Sequence, residues 1–510
     1  MENSRSKKTM QNMIFGFLYQ GVTMVLSFVS RSIFINVLGT EYLGINSIFS
    51  DVLKMLSMAD LGFAHAMSFS FYKPLAQNDS KKISQLIGFF RKIYNIIAIS
   101  VTVVGVALTP FIKYIINTEE EIPHLELYYL FGLANVIISY LFVYKTTLLT
   151  ADQKDYKVTR VRTVFAFIDT VSKIIALILL RSYILYLLIG VLCNFFSNFY
   201  TSKKAEKEYP YIKRIDKNNL LPSEEKHGIF HVLRSVVLYK VSMLLYNHTD
   251  NILISVMIGT GAVGIYSNYW MLSLKLILIE QIVFAAMTAS VGNVIAVENE
   301  KKRLEVFESM QSIGNIFCGI ITCVYGIVAD DFVHVWLGSK LQVPLLVVVA
   351  VALNTYFTCI LHPVAIIRTA TGMYDKIKYV MLTGSLLNSV LSIILGYIMG
   401  LAGIIFASVI SRMLTYFWYE PKVIYKDFFG GSAKGYFVDL VKNLILVLIT
   451  IIVMYLIARN FVPNNWIELF IKGAVVGLIC TIEFFVVYFK TPGAQSIILR
   501  IKSIVLRKGE

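Results

Sequence analysis

Long apolar stretches recur along the whole chain, each close to the length of a bilayer crossing and each ended by a short polar break. Windows near 13–38, 43–72, 84–112, 126–150, 158–180, 183–202 and 228–258 meet this description, as do 263–297, 305–329, 341–367, 377–399, 402–419, 436–458 and 466–489. A membrane helix needs roughly 20 apolar residues and tolerates more by tilting. The pattern predicts an all-α integral membrane protein with fourteen transmembrane helices. Composition agrees, with 57% of the 510 residues apolar and 15% charged, at a mean hydropathy of +0.68. That balance excludes a cytosolic enzyme, a disordered chain and a nucleic-acid module, despite a net charge of +15.

The charge instead orients the chain, because Lys and Arg collect in cytoplasmic loops of polytopic proteins. With the N-terminus inside, the inner segments gather Lys73, Lys81, Lys82, Lys154–Arg162, Lys203–Lys226, Lys301–Arg303 and the tail. The outer segments hold Lys113, Arg181, Lys340 and Arg459, and the longest outer loop, around Glu119–Glu126, is acidic. Both termini are therefore expected in the cytoplasm and the protein in the plasma membrane. The first apolar stretch follows Arg5, Lys7 and Lys8, is too long for a signal-peptide core and lacks a cleavage site, so it is expected to stay as helix 1. Near the end, Gln495–Lys508 segregates Ile497, Ile498, Ile501, Ile504 and Val505 from its basic residues, as an amphipathic helix on the inner leaflet would.

Transporters are often two related bundles. At an offset of 220 residues, Gly39-Thr40-Glu41-Tyr42-Leu43-Gly44-Ile45-Asn46-Ser47 faces Gly259-Thr260-Gly261-Ala262-Val263-Gly264-Ile265-Tyr266-Ser267, with five of nine positions identical. The same offset aligns Lys81-Lys82 with Lys301-Lys302, Asn95-Ile96 with Asn315-Ile316, Asp60 with Glu280, and Asp155 with Asp375. Six helices apiece keep the halves in one orientation, a parallel repeat. The organisation expected is a six-helix bundle over 1–202, a linker over 203–227 with Pro210 and Pro222, a second bundle over 228–430, two extra helices over 431–490 and the tail over 491–510.

The first outer turn, Leu38-Gly39-Thr40-Glu41-Tyr42-Leu43-Gly44, preceded by Arg31 and followed by Ala59-Asp60-Leu61-Gly62, resembles the Wzx-type polysaccharide flippases of the multidrug/oligosaccharidyl-lipid/polysaccharide exporter superfamily. The resemblance implies two pseudo-twofold-related bundles in a V shape around a central cavity. It also implies a substrate, undecaprenyl-pyrophosphate-linked oligosaccharide, moved to the outer leaflet for capsule, exopolysaccharide or O-antigen synthesis. Membrane lipids, a polysaccharide polymerase and glycosyltransferases are the partners it implies. Lipid II flippases are related and have the same helix count.

Charges inside spans are costly and should face protein or water. Lys442, Lys472 and Arg234 lie near span ends, where they can snorkel. Lys173 follows Asp169 by four residues, the spacing of a helical ion pair. Arg31, Lys54 and Lys275 are deeper, roughly 10, 14–17 and 18 Å from the outer helix ends at about 1.5 Å per residue. Lys54 and Lys275 are also near-equivalent in the repeat. Helix 1 adds the polar stripe Gln20, Thr23, Ser27 and Arg31, helix 2 adds Ser47, Ser50, Lys54 and Ser57, and helix 7 adds Asn247, Asp250 and Asn251. A cationic cavity built on Arg31, Lys54 and Lys275 would suit a pyrophosphate, whose hydration such groups replace. Asp60, Asp250, Glu280, Asn247 and Ser27 are the accompanying polar or coupling candidates. The competing reading has Asp51 pair with Lys54 while Asp60 and Glu280 neutralise the rest, locking the bundles.

No Gly-Lys dipeptide exists for a phosphate loop, no HExxH occurs, and the five cysteines show no ligand spacing. No cofactor, metal or catalytic residue is expected, and the chain reads as a transporter rather than an enzyme. A membrane glycan polymerase would need a long external loop. An ion-coupled exporter of cationic drugs would need an acidic cavity.

Overall fold

The computed structural model describes residues 2–57, 63–118, 121–213 and 221–495. The Asp60 position and the amphipathic tail fall outside them. Sixteen α-helices follow one another with no strand among the described residues. They are α1 (Glu2–Leu56), α2 (Phe63–Ala76), α3 (Ser80–Leu108), α4 (Ile112–Ile115), α5 (Leu125–Ala151), α6 (Asp155–Leu180), α7 (Tyr183–Glu208) and α8 (Ser223–Met257). Then come α9 (Thr260–Val297), α10 (Glu300–Leu337), α11 (Leu345–Cys359), α12 (His362–Thr371), α13 (Tyr374–Leu414), α14 (Tyr416–Asp427), α15 (Lys434–Ala458) and α16 (Trp466–Tyr488).

Among the described residues, eleven helical segments are long and apolar enough to cross a membrane. Two of them, Ile14–Leu56 and Tyr374–Asp427, run for 43 and 54 residues, well beyond the roughly 20 that one crossing takes. Each contains a glycine with left-handed backbone, Gly39 and Gly400, where the chain turns between two crossings. Counting these as pairs and including α8 agrees with the fourteen spans expected.

Gly39 adopts φ 85°, ψ −179°, a region essentially closed to residues with a β-carbon. Gly39→Ala is therefore expected to cost about 1–3 kcal/mol. Gly16→Ala, where a β-carbon meets nothing within 4 Å, should cost nothing. Thermal unfolding of the purified variants checks both.

Local structure bears out the 220-residue offset. Gly259, the counterpart of Gly39, also has positive φ. Asp79 caps α3 by accepting from the Lys82 N–H at 2.9 Å, and its counterpart Asn299 caps α10 from the Lys302 N–H at 3.0 Å. Such caps satisfy amides that a helix start leaves open.

The chain divides into two compact units, Met1–Gly264 and Ile265–Glu510. In the first, α1 packs on α6 and α8, and α5 packs on α3 and α7. The repeat motifs meet here. A β-carbon added at Gly44 would lie 2.0 Å from the Thr260 carbonyl oxygen, and one at Gly264 2.1 Å from that of Thr40. The two segments touch backbone to backbone.

In the second unit α10 is central, against α11, α15 and α16. Buried Asn443 ties all four helices: its Nδ2 donates to Asn315 O at 3.2 Å and Tyr488 Oη at 2.8 Å, and Tyr356 Oη donates to its Oδ1 at 3.0 Å. Lys472 does not snorkel. It is buried, 2.7 Å from Asp331, and donates to Phe461 O at 2.7 Å, because Asp331 compensates the cost of burying it. Exposed apolar side chains such as Tyr397, Ile467 and Val486 form the surface that lipid would cover.

Candidate functional site

A cavity of about 760 Å³ opens inside the first unit, lined from α1, α5, α6 and α7. Its charged lining residues are Lys54, Arg162, Lys173 and Asp169, three bases against one acid. α6 supplies Asp169 and Lys173, whose Nζ is 2.8 Å from Asp169 Oδ2, the ion pair expected from their spacing. Lys173 also sits over the Tyr186 ring at 4.7 Å. Gly190 on α7 makes room for it, since a β-carbon there would stand 3.0 Å from Lys173 Nζ.

Lys54 is 55% exposed. Its expected partner Asp51 is 3.5 Å away, but that carboxylate is buried and held more closely from α8. The His248 ring nitrogen Nδ1 is 2.9 Å from Asp51 Oδ1, and Asn251 Nδ2 donates to Oδ2 at 2.5 Å. Asp51 is thus bonded from α8 as well as by Lys54, whose exposed ammonium also reaches the cavity wall.

Not every sequence-derived site residue is on that wall. Arg31 is half-buried on α1 and does not line the cavity. Ser27 donates back to Met24 O at 2.7 Å. On α8, Asp250 is half-buried and Asn247 exposed. Lys275 belongs to the second unit, half-buried on α9 and without an ion-pair partner among the described residues. Glu280, fully buried in that unit, lies 2.8 Å from His362 Nδ1 rather than beside a lysine or arginine. Nearby, Arg412 bonds Asn354 and Thr358.

Sequence reasoning missed most of the cavity's polar lining. It counted Arg162 only among the inner basic residues that set orientation, whereas the residue is exposed on α6 and faces the cavity. It also passed over an amide ladder between α5 and α7. Asn194 Nδ2 donates to Asn135 O at 2.9 Å and to Ser139 Oγ at 3.4 Å, and Asn198 Nδ2 donates to Asn194 Oδ1 at 2.7 Å. The signal was present, since both pairs have helical i, i+4 spacing within apolar spans.

Toward the basic end of this unit, Lys154 bridges Asp152 at 2.6 Å and Glu208 at 2.7 Å. Burial works against its ammonium, but the two carboxylates outweigh that and hold its pKa above the ordinary lysine value. Among the described residues, no cluster of three or more His, Cys, Asp or Glu has metal-holding geometry.

Solved membrane transporters and a lipid flippase share this fold. The lipid II flippase MurJ, inward closed, superposes with a TM-score of 0.66 over 94% of this chain and 100% of its own, at 14% identity. An inward-facing multidrug resistance MATE family transporter of the MOP superfamily gives 0.58 over 78% of this chain and 93% of its own, also at 14% identity. The Vibrio cholerae MATE transporter VcmN, solved as a mutant, gives 0.55 over 84% and 99%, at 15% identity. No protein-family model and no curated protein matches the sequence.

Proposed function

We propose that the chain is a Wzx-type flippase. It moves undecaprenyl-pyrophosphate-linked oligosaccharide repeat units from the inner to the outer leaflet of the plasma membrane, with both termini cytoplasmic, for capsule, exopolysaccharide or O-antigen assembly. The observation that carries this reading is the cavity, where Lys54, Arg162 and Lys173 face a single acid on a lining otherwise without charge. Fixed positive charge in such a place favours an anionic headgroup and repels the cationic drugs of a multidrug exporter. The likeness to MurJ keeps lipid II, or a teichoic-acid precursor, as the second reading, since those substrates present the same phosphate chemistry.

Without a nucleotide site, transport draws on substrate gradient, ion coupling or voltage. Moving negative charge out of a negative interior gains roughly 2.3 kcal/mol per charge per 100 mV. The purified protein in proteoliposomes is expected to flip lipid-linked oligosaccharide without ATP, faster under an inside-negative potential. Strict ATP dependence would overturn the reading, and preference for lipid II over the oligosaccharide lipid would select the second one.

A further inference from the structure

The cavity contains more hydrogen-bonding capacity than a pyrophosphate uses. The Asn135 carboxamide makes no hydrogen bond within the described protein, and its Oδ1 is buried. Asn194 spends its amide on neighbours, which fixes the ladder, while Asn198 keeps its Oδ1 for another donor. A buried amide left unpaired costs free energy, so such groups are expected to meet a partner. Carboxamides offer donors and an acceptor side by side, matching hydroxyls that donate and accept at adjacent carbons. The volume is within the roughly 300–1,000 Å³ of small-molecule pockets. A purely ionic headgroup site would need neither the amides nor the space.

We propose that the α5–α7 wall formed by Asn135, Ser139, Asn194 and Asn198 is a saccharide-binding subsite, holding the hydroxyl-rich part of the substrate while Lys54 and Arg162 face its pyrophosphate. This rests on the flippase reading and adds to it where the glycan sits. A natural reporter lies within the site. Cys193 is partly exposed and lines the cavity, whereas Cys318, Cys323, Cys359 and Cys480 are buried.

The test uses the full chain in nanodiscs, alkylated with N-ethylmaleimide and read at Cys193 by peptide mass spectrometry, with lipid binding followed by native mass spectrometry. The probes are the host's extracted pool of lipid-linked oligosaccharides and sugar-free undecaprenyl pyrophosphate. The pool is expected to slow Cys193 labelling by about tenfold, the sugar-free lipid by less than about twofold. Asn135→Ala and Asn198→Ala should each lose most of the pool's protection while still binding the sugar-free lipid; Asn135→Ala keeps every bond of the ladder, since Asn194 reaches the Asn135 backbone carbonyl, whereas Asn198→Ala gives up the Asn198–Asn194 bond. Equal protection by both lipids, or undiminished protection in both variants, would overturn the subsite and leave the flippase reading standing. Failure of the wild type to bind either lipid would overturn both.

Discussion

Lys54→Glu is expected to reduce export of lipid-linked oligosaccharide by about 100-fold or more, and Lys54→Gln by about tenfold. A hydrogen bond to a charged group contributes about 1.5–3 kcal/mol, and each 1.4 kcal/mol or so changes a rate tenfold. Reversal adds repulsion of the phosphates to the lost bond. Folding should survive, because Asp51 is held by His248 and Asn251 at 2.9 and 2.5 Å, closer than Lys54 at 3.5 Å. The same geometry separates the substrate role from a bundle lock. If Lys54 served Asp51, Asp51→Asn would restore the Lys54→Gln protein; no rescue is expected. Adding Arg31→Gln and Lys275→Gln should remove the remaining export. Export measured at matched expression decides, and full activity in the triple variant would end the cationic-site proposal.

The largest loss of stability is expected at Arg368→Met. Arg368 Nη1 lies 2.5 Å from Glu420 Oε1, joining α12 to α14, and Glu420 is only 2% exposed. Removing one member of a buried ion pair typically costs about 3–5 kcal/mol, because the other charge stays uncompensated, while replacing both by uncharged groups is often near neutral. The Arg368→Met, Glu420→Gln double variant should therefore recover most of the stability lost in Arg368→Met. Denaturation of the two variants in detergent measures this coupling. A double variant as unstable as the single one would show that Glu420 is not what Arg368 compensates.

Much of the fold could be read from the sequence because its main signals are local. Apolar windows gave the spans and the breaks at which Gly39 and Gly400 turn the chain, and the paired caps at Asp79 and Asn299, seen only in the structure, agree with the constant offset. The Asp169–Lys173 pair was readable for the same reason, since both partners share one helix face. Asp51 was harder. Its neighbour Lys54 suggested the pair, but the stronger partners His248 and Asn251 are about two hundred positions away, and no periodicity announces them. Lys472 misled in the same way through distant Asp331. The asparagines of α5 and α7 were visible as polar residues in apolar spans, yet such residues also serve as bonds between helices. Only the cavity beside them distinguishes the two roles.

The crossing at Thr40, Gly44, Thr260 and Gly264 bears on how this sequence can change over generations. Each repeat motif gives the other a carbonyl and receives a glycine from it, so one surface has to be its own complement. A bulkier residue at Gly44 demands retreat at Thr260, while Gly264 and Thr40 still hold the former spacing. Drift at one copy is therefore checked by the other. Substitutions survive there as matched sets or not at all, and the motif that betrayed the repeat is the part of it least free to diverge.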